Sequence, residues 1–123
     1  MQIVDANVIL RYLLGDHEEL SEQARKIIEE NIVIVPVEAL CEVVYVLTGV
    51  YKAAHLDVSI ALQGFFANTL CRLPHRASVL KGLEIYGKRN MDFVDCILAG
   101  YNEAGNAIVH TFDNQLRGLL TTP

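Results

Sequence analysis

Two patterns of apolar residues alternate along this chain: short unbroken apolar runs, and longer stretches in which apolar positions recur every three or four residues. The first pattern predicts buried strands and the second predicts helices packed on one face. Gln2 to Val4 is a short apolar run ending at Asp5. Ile32 to Val35 is four β-branched residues, apolar on both faces and halted by Pro36. Leu70 to Leu73, before Pro74, and Ala107 to Thr111, after the Gly105-Asn106 turn, complete the predicted strands. Helical spacing covers Ala6 to Leu14, Glu18 to Glu30, Val37 to Thr48, Asp57 to Asn68, Ala77 to Lys88 and Asp92 to Ala104, with a short terminal helix from Asn114 to Leu119.

Short apolar strands alternating with helices predict an α/β fold, a three-layer α/β/α sandwich around a central parallel β-sheet. The 123 residues fit one domain, residues 1–123, and 52% hydrophobic content supplies ample core. No apolar run approaches the ~18 residues that span a bilayer, and the start of the chain shows no signal-peptide pattern. Cys41, Cys71 and Cys96 are odd in number and sit in apolar contexts, so they read as buried thiols of a reducing compartment, with a bacterial or archaeal cytoplasm as the expected location. A net charge of −5 disfavours binding nucleic acid by bulk phosphate neutralisation, and any such role calls for a local basic patch or a bound cation.

The acids are placed informatively. In an open parallel sheet, functional groups gather at the carboxyl ends of strands, where Asp5 and Asp113 fall. Either could equally cap the helix that follows it. Along Val37 to Thr48, a core stripe of Leu40, Val43, Val44 and Leu47 leaves Glu38 and Glu42 opposite it. Glu38 reads as part of a solvated face. Glu42, flanked by Cys41, Tyr45 and Val46, looks into a cleft or an interface. Asp92 stands at a helix start, where an acid is favoured whatever the function. Asp95 lies one turn further in, among Phe93, Val94, Cys96, Ile97, Leu98 and Ala99. Burying its charge calls for compensation, either by a hydrogen bond from elsewhere or by a metal. Two carboxylates ~5 Å apart repel by ~3 kcal/mol at an effective dielectric of ~20, so four gathered acids need a cation. Oxygen-only ligands select Mg²⁺ or Mn²⁺ over zinc. His17, His55, His75 and His110 show no paired ligand spacing and read as structural or surface residues.

The segments IVDANVILRYLLGD, VEALCEVVYVL, MDFVDCILAG and HTFDNQL, in this order from Gln2 to about Leu116, resemble the PIN-domain nucleases, and among them the VapC toxin ribonucleases of prokaryotic toxin–antitoxin pairs. The resemblance implies a catalytic, metal-binding set of Asp5, Glu42, Asp95 and Asp113. It implies supporting roles for Asn7, Thr111 and Asp92, a three-layer sandwich, and metal-dependent RNA hydrolysis leaving a 5′-phosphate and a 3′-hydroxyl. It also implies a VapB-like antitoxin partner and a homodimer; no membrane association is expected, because no apolar run is long enough to span a bilayer. Cys96 departs from the family's usual small residue after Asp95, and little chain follows Asp113 for a last edge strand.

Arg11, Lys52, Arg72, Arg76, Lys81, Lys88 and Arg89 are the candidate RNA phosphate contacts, Arg11 first among them. Phe65, Phe66, Tyr45, Tyr51 and Tyr86 are more surface-capable aromatics than a small core needs, which points to an interface. Two enzyme classes with acids at strand ends fit less well. A receiver domain needs a lysine after a late strand, and no lysine follows Lys88; a dehalogenase-type phosphatase needs a second Asp where Asn7 stands. A non-catalytic PIN-like module that binds metal, RNA or protein is the alternative reading.

Overall fold

A computed structural model describes residues 1–121. Seven helices are found among them: α1 (Ala6–Leu14), α2 (Glu18–Glu30), α3 (Val37–Gly49), α4 (His55–Asn68), α5 (Arg76–Lys88), α6 (Phe93–Gly105) and α7 (Asn114–Arg117). Every predicted helix is present; α1 and α2 have the predicted bounds, and the ends of the others differ by at most two residues. By contacts the chain divides into two compact units. One comprises Met1–Lys52 with Gly64–Pro74, the other Ala53–Gln63 with the chain from His75 onward.

The central parallel sheet expected from the sequence does not form, and the three-layer sandwich is overturned with it. The structure is 65% helical and 2% strand, with no sheet. Of the four predicted strands, Gln2 to Val4, Ile32 to Val35 and Leu70 to Leu73 meet only at isolated parallel bridges, Ile3 with Ile34 and Ile34 with Arg72. Each bridge has two backbone bonds: Ile34 N–H to Gln2 O (2.8 Å) and Val4 N–H to Ile34 O (3.2 Å), then Arg72 N–H to Val33 O and Val35 N–H to Arg72 O (both 2.8 Å). The ladders stop because helices claim the flanking residues. Asp5 is already the N-cap of α1, Pro36 that of α3 and His75 that of α5. Ile32 to Val35 is also not apolar on both faces in the sense expected. Val33 and Val35 are buried while Ile32 is 53% exposed, so only one face has a partner layer. Ala107 to Thr111 makes no strand among the described residues, and Ile108 is 70% exposed.

In the first unit α1 packs against α2 and α3. The predicted stripe of α3, Leu40, Val43, Val44 and Leu47, is buried, together with Ile9, Leu10 and Ile28. Tyr12, Phe65 and Phe66 meet edge to face at 5.6 and 5.1 Å, an arrangement favoured by the ring quadrupole. Gly15 closes α1 with φ +59°, in the left-handed region that glycine tolerates, and its N–H bonds the Arg11 carbonyl. Of the aromatics assigned to a surface, Phe65, Phe66 and Tyr86 are buried, while Tyr45 and Tyr51 are exposed. The sequence pattern does not distinguish these, because every helix here has apolar residues beyond its core stripe.

The second unit is organised on the α5–α6 pair. A side chain at Gly82 would put its Cβ 2.9 Å from the Ile97 Cα, and one at Gly100 would collide with the Ser78 carbonyl oxygen. The two backbones therefore run in near contact, at a separation only glycine permits. Ser59 closes the start of α4 onto this pair by donating to the Leu83 carbonyl at 2.6 Å. The Tyr86 ring stacks on His55 at 3.9 Å and takes Phe93 on edge at 5.3 Å. Leu116 buries α7 against α6. No helix among the described residues is long and apolar enough to cross a membrane.

This packing sets two opposite expectations. Gly100→Ala destabilises the protein by about 1–3 kcal/mol, the usual cost of forced overpacking. Gly64→Ala, whose Cβ meets nothing within 4 Å, stabilises by up to ~1 kcal/mol through helix propensity. Thermal unfolding followed by circular dichroism checks both, and equal midpoints for the two variants would contradict the close α5–α6 approach.

Candidate active site

Three acids predicted for the site begin helices. An Asp at the N-cap accepts a backbone N–H that the first turn leaves unpaired, and its charge suits the positive end of the helix. Asp5 Oδ1 accepts from Val8 N–H at 3.2 Å at the start of α1. Asp92 Oδ2 accepts from Val94 N–H at 3.2 Å at the start of α6. Asp113 Oδ1 accepts from Leu116 N–H at 2.9 Å at the start of α7. The capping reading is therefore correct for Asp5 and Asp113, and it does not remove them from a site: the cap engages one carboxylate oxygen and fixes the direction of the group.

In the first unit, Asp5 and Glu42 line one hollow of about 560 Å³, and Glu38 lines it with them. Sequence spacing read Glu38 as an ordinary solvated residue. The available signal was its position one turn from Glu42 on the same side of α3. Asn7 lines an adjoining groove of about 210 Å³ with Asp5 and Arg11. Arg11 Nη1 donates to Asp16 Oδ1 at 2.7 Å, and its Nε is buried without a hydrogen-bond partner among the described residues.

In the second unit, Asp95 is half-buried in the first turn of α6. Its carboxyl is pushed above the ordinary carboxylate range, first by burial and then by the negative charges of Asp92 and Asp113. These three acids thus lie close enough to feel one another. Thr111 supports the third, since its hydroxyl oxygen accepts from Asp113 N–H at 3.0 Å. Cys96, beside Asp95, has its thiol pushed up to about 12 by burial and by the charges of Asp95 and Asp92, so it remains protonated and unreactive at neutral pH. Among the described residues no three His, Cys, Asp or Glu side chains converge as the ligands of one ion. The donor chemistry on offer is carboxylate oxygen, which suits a hard divalent cation.

The basic candidates divide. Arg72 serves as a backbone bridge residue. Lys81 pairs with Glu84 and Glu103, at 3.4 and 3.3 Å, and Lys88 pairs with Glu84 at 3.1 Å. Lys52, Arg76 and Arg89 are exposed. The histidines prove structural or surface. His17 caps α2 by accepting from Leu20 N–H at 3.1 Å, and His55 lies in the stack on Tyr86.

The raised Asp95 pKa has a consequence for stability. A carboxyl whose folded pKa exceeds its unfolded value binds more protons when folded, so its contribution becomes less favourable as pH rises through that range and is relieved as pH falls. Asp95→Asn is therefore expected to melt higher than the parent at neutral pH without metal, with the difference shrinking in acid. A lower melting point at neutral pH would instead identify Asp95 as a structural hydrogen-bonding group.

The family model "PIN domain" matches residues 3–119. A VapC ribonuclease of Aquifex aeolicus (strain VF5) is 26% identical over 107 residues, spanning 79% of this chain and 75% of that protein. No solved structure matches significantly. A family match that takes in both units and all of the acids described above is decisive: the chain belongs to the PIN domain family.

Proposed function

We propose that this protein is a VapC-type toxin, an endoribonuclease that hydrolyses RNA phosphodiester bonds with the help of a divalent metal. The observation that carries the reading is the family match over residues 3–119, within which Asp5, Glu42, Asp95 and Asp113 fall. The similarity to a VapC ribonuclease supports RNA as the substrate. In this reading residues 1–123 act as one PIN-like domain, of which residues 122 and 123 lie outside the described ones.

Asp5, Glu42, Asp95 and Asp113 are assigned to holding Mg²⁺ or Mn²⁺, directly or through water. When bound, such an ion lowers the pKa of a coordinated water and offsets charge on the phosphate oxygens. The chain's own contribution is to fix the carboxylates in advance. Val8 N–H and Leu116 N–H hold Asp5 and Asp113 by one oxygen each, so neither has to be ordered when substrate arrives. Burial and the neighbouring charges of Asp92 and Asp113 raise the proton affinity of Asp95, a cost that a bound cation would offset. Asn7, Thr111 and Asp92 orient these groups. Arg11, Lys52, Arg76, Lys88 and Arg89 are assigned to RNA phosphates. Because the net charge is −5, binding rests on such local contacts and weakens steeply with salt. A VapB-like antitoxin and a second copy of the chain are the proposed protein partners, and the bacterial or archaeal cytoplasm the proposed location.

The test is cleavage of structured RNA by the purified protein. Activity is expected with Mg²⁺ or Mn²⁺, lost on chelation and restored by Mn²⁺. Asp5→Asn, Glu42→Gln, Asp95→Asn and Asp113→Asn are each expected to lower turnover by on the order of 100-fold. Full activity in Asp5→Asn and Asp95→Asn would refute the assignment. Metal and RNA binding without cleavage by the parent protein would identify a non-catalytic PIN-like module.

A further inference from the structure

Asn102 is a buried polar residue, 4% exposed, on a helix otherwise buried through apolar side chains. A carboxamide has two N–H donors and an oxygen that accepts twice. All four capacities are used here. Asn102 Nδ2 donates to the Ala107 carbonyl at 2.9 Å and to the Thr121 carbonyl at 2.7 Å. Its Oδ1 accepts from Thr121 N–H at 2.8 Å and from the Thr121 hydroxyl at 3.3 Å.

The two residues so held are the ends of one segment. From Ala107 to Thr111 the chain forms neither helix nor strand, and it bends at Phe112. The middle of the segment is tied to itself. Thr111 takes the Asp113 N–H, Arg117 Nη2 donates to the Thr111 carbonyl at 2.7 Å, and Arg117 N–H bonds the Asp113 carbonyl at 3.0 Å. These bonds fix Asp113 within its own turn but do not attach that turn to α6. Leu116 does so by burial, and the Ala107 N–H does so at the near end by donating to the Tyr101 carbonyl at 3.1 Å. Asn102 holds both ends, its bonds to Thr121 securing the far one. Asp95 and Asn102 are seven residues apart, two helical turns, and so lie on one side of α6. That side holds Asp113 near Asp95 and the ends of its segment at Asn102.

The geometry points to Asn102 as a positioning residue, whose carboxamide clamps both ends of the 107–121 segment to α6 and thereby sets where Asp113 stands beside Asp95. The inference rests on the proposed hydrolysis for the role of Asp113, though not for the clamp itself. No near relative of the side chain replaces it. Asp removes both donors, Ala removes all four bonds, and Leu buries the two carbonyls unpaired.

The experiment combines hydrogen exchange read by mass spectrometry with Mn²⁺ titration, the latter by calorimetry and by RNA cleavage. In Asn102→Ala, peptides from 107–121 exchange faster while α5 keeps parental protection. The Mn²⁺ midpoint rises by about tenfold in both readouts, and KM for RNA keeps its parental value. Loss of folded protein alone would lower the amplitude without moving the midpoint. Thr121→Pro removes two of the four clamp bonds, those from the Thr121 N–H and hydroxyl to Asn102 Oδ1, at an exposed position. It is expected to shift the same quantities in the same direction by less, which decides the matter if Asn102→Ala does not fold. Unchanged exchange over 107–121, exchange raised equally in α5, or a parental Mn²⁺ midpoint despite local loosening would each overturn the inference. An Asp113→Asn control with a parental midpoint would overturn the catalytic reading alone, leaving exchange to judge the clamp.

Discussion

Helix initiation by carboxylates is the interaction on which the rest of this structure depends. Asp5, Asp92 and Asp113 each accept a backbone N–H from the first turn of a helix. A helix begun this way is anchored at a fixed residue, and so is the charge that began it. The acid therefore ends up where an extended segment turns into a helix, at the surface of its unit rather than in its core. Structural and chemical roles coincide in one side chain because one oxygen suffices for the cap.

The same constraint shortens the extended segments. The three that pair are bounded within a few residues by a cap or a proline, so each of the two pairings ends after a single bridge. Order in this molecule comes instead from helix packing, most closely at Gly82 and Gly100 between α5 and α6. The α6 helix so packed carries Asp95 near one end and Asn102 two turns along.

Acids held near one another carry an electrostatic cost, visible in the second unit as the raised proton affinity of Asp95 beside Asp92 and Asp113. Such a group is stabilised by a cation or a proton. Its local order must come from bonds that do not involve its charge, and the Asn102 clamp, the Thr111 hydroxyl and the buried Leu116 side chain are bonds and contacts of that kind.

By itself the sequence determined the helices, because helical periodicity and caps are local: the stripe of α3, the Gly15 stop and the starts at Asp5, Asp92 and Asp113 are all legible in short windows. It also determined the family, through four acidic segments in order. Tertiary structure alone decided whether the apolar runs became a sheet. Ile32 to Val35 has every local mark of a buried strand, yet a ladder needs partners of matching length on both sides, and these the neighbouring helices remove. It alone decided that Phe65 and Tyr86 are core while Tyr45 is not, and that Glu38 shares a hollow with Asp5. Asn102 shows the limit most plainly. Seven residues after Asp95 it reads as one polar position on a buried helix, and only the return of the chain to Thr121 gives its four hydrogen-bonding capacities their partners.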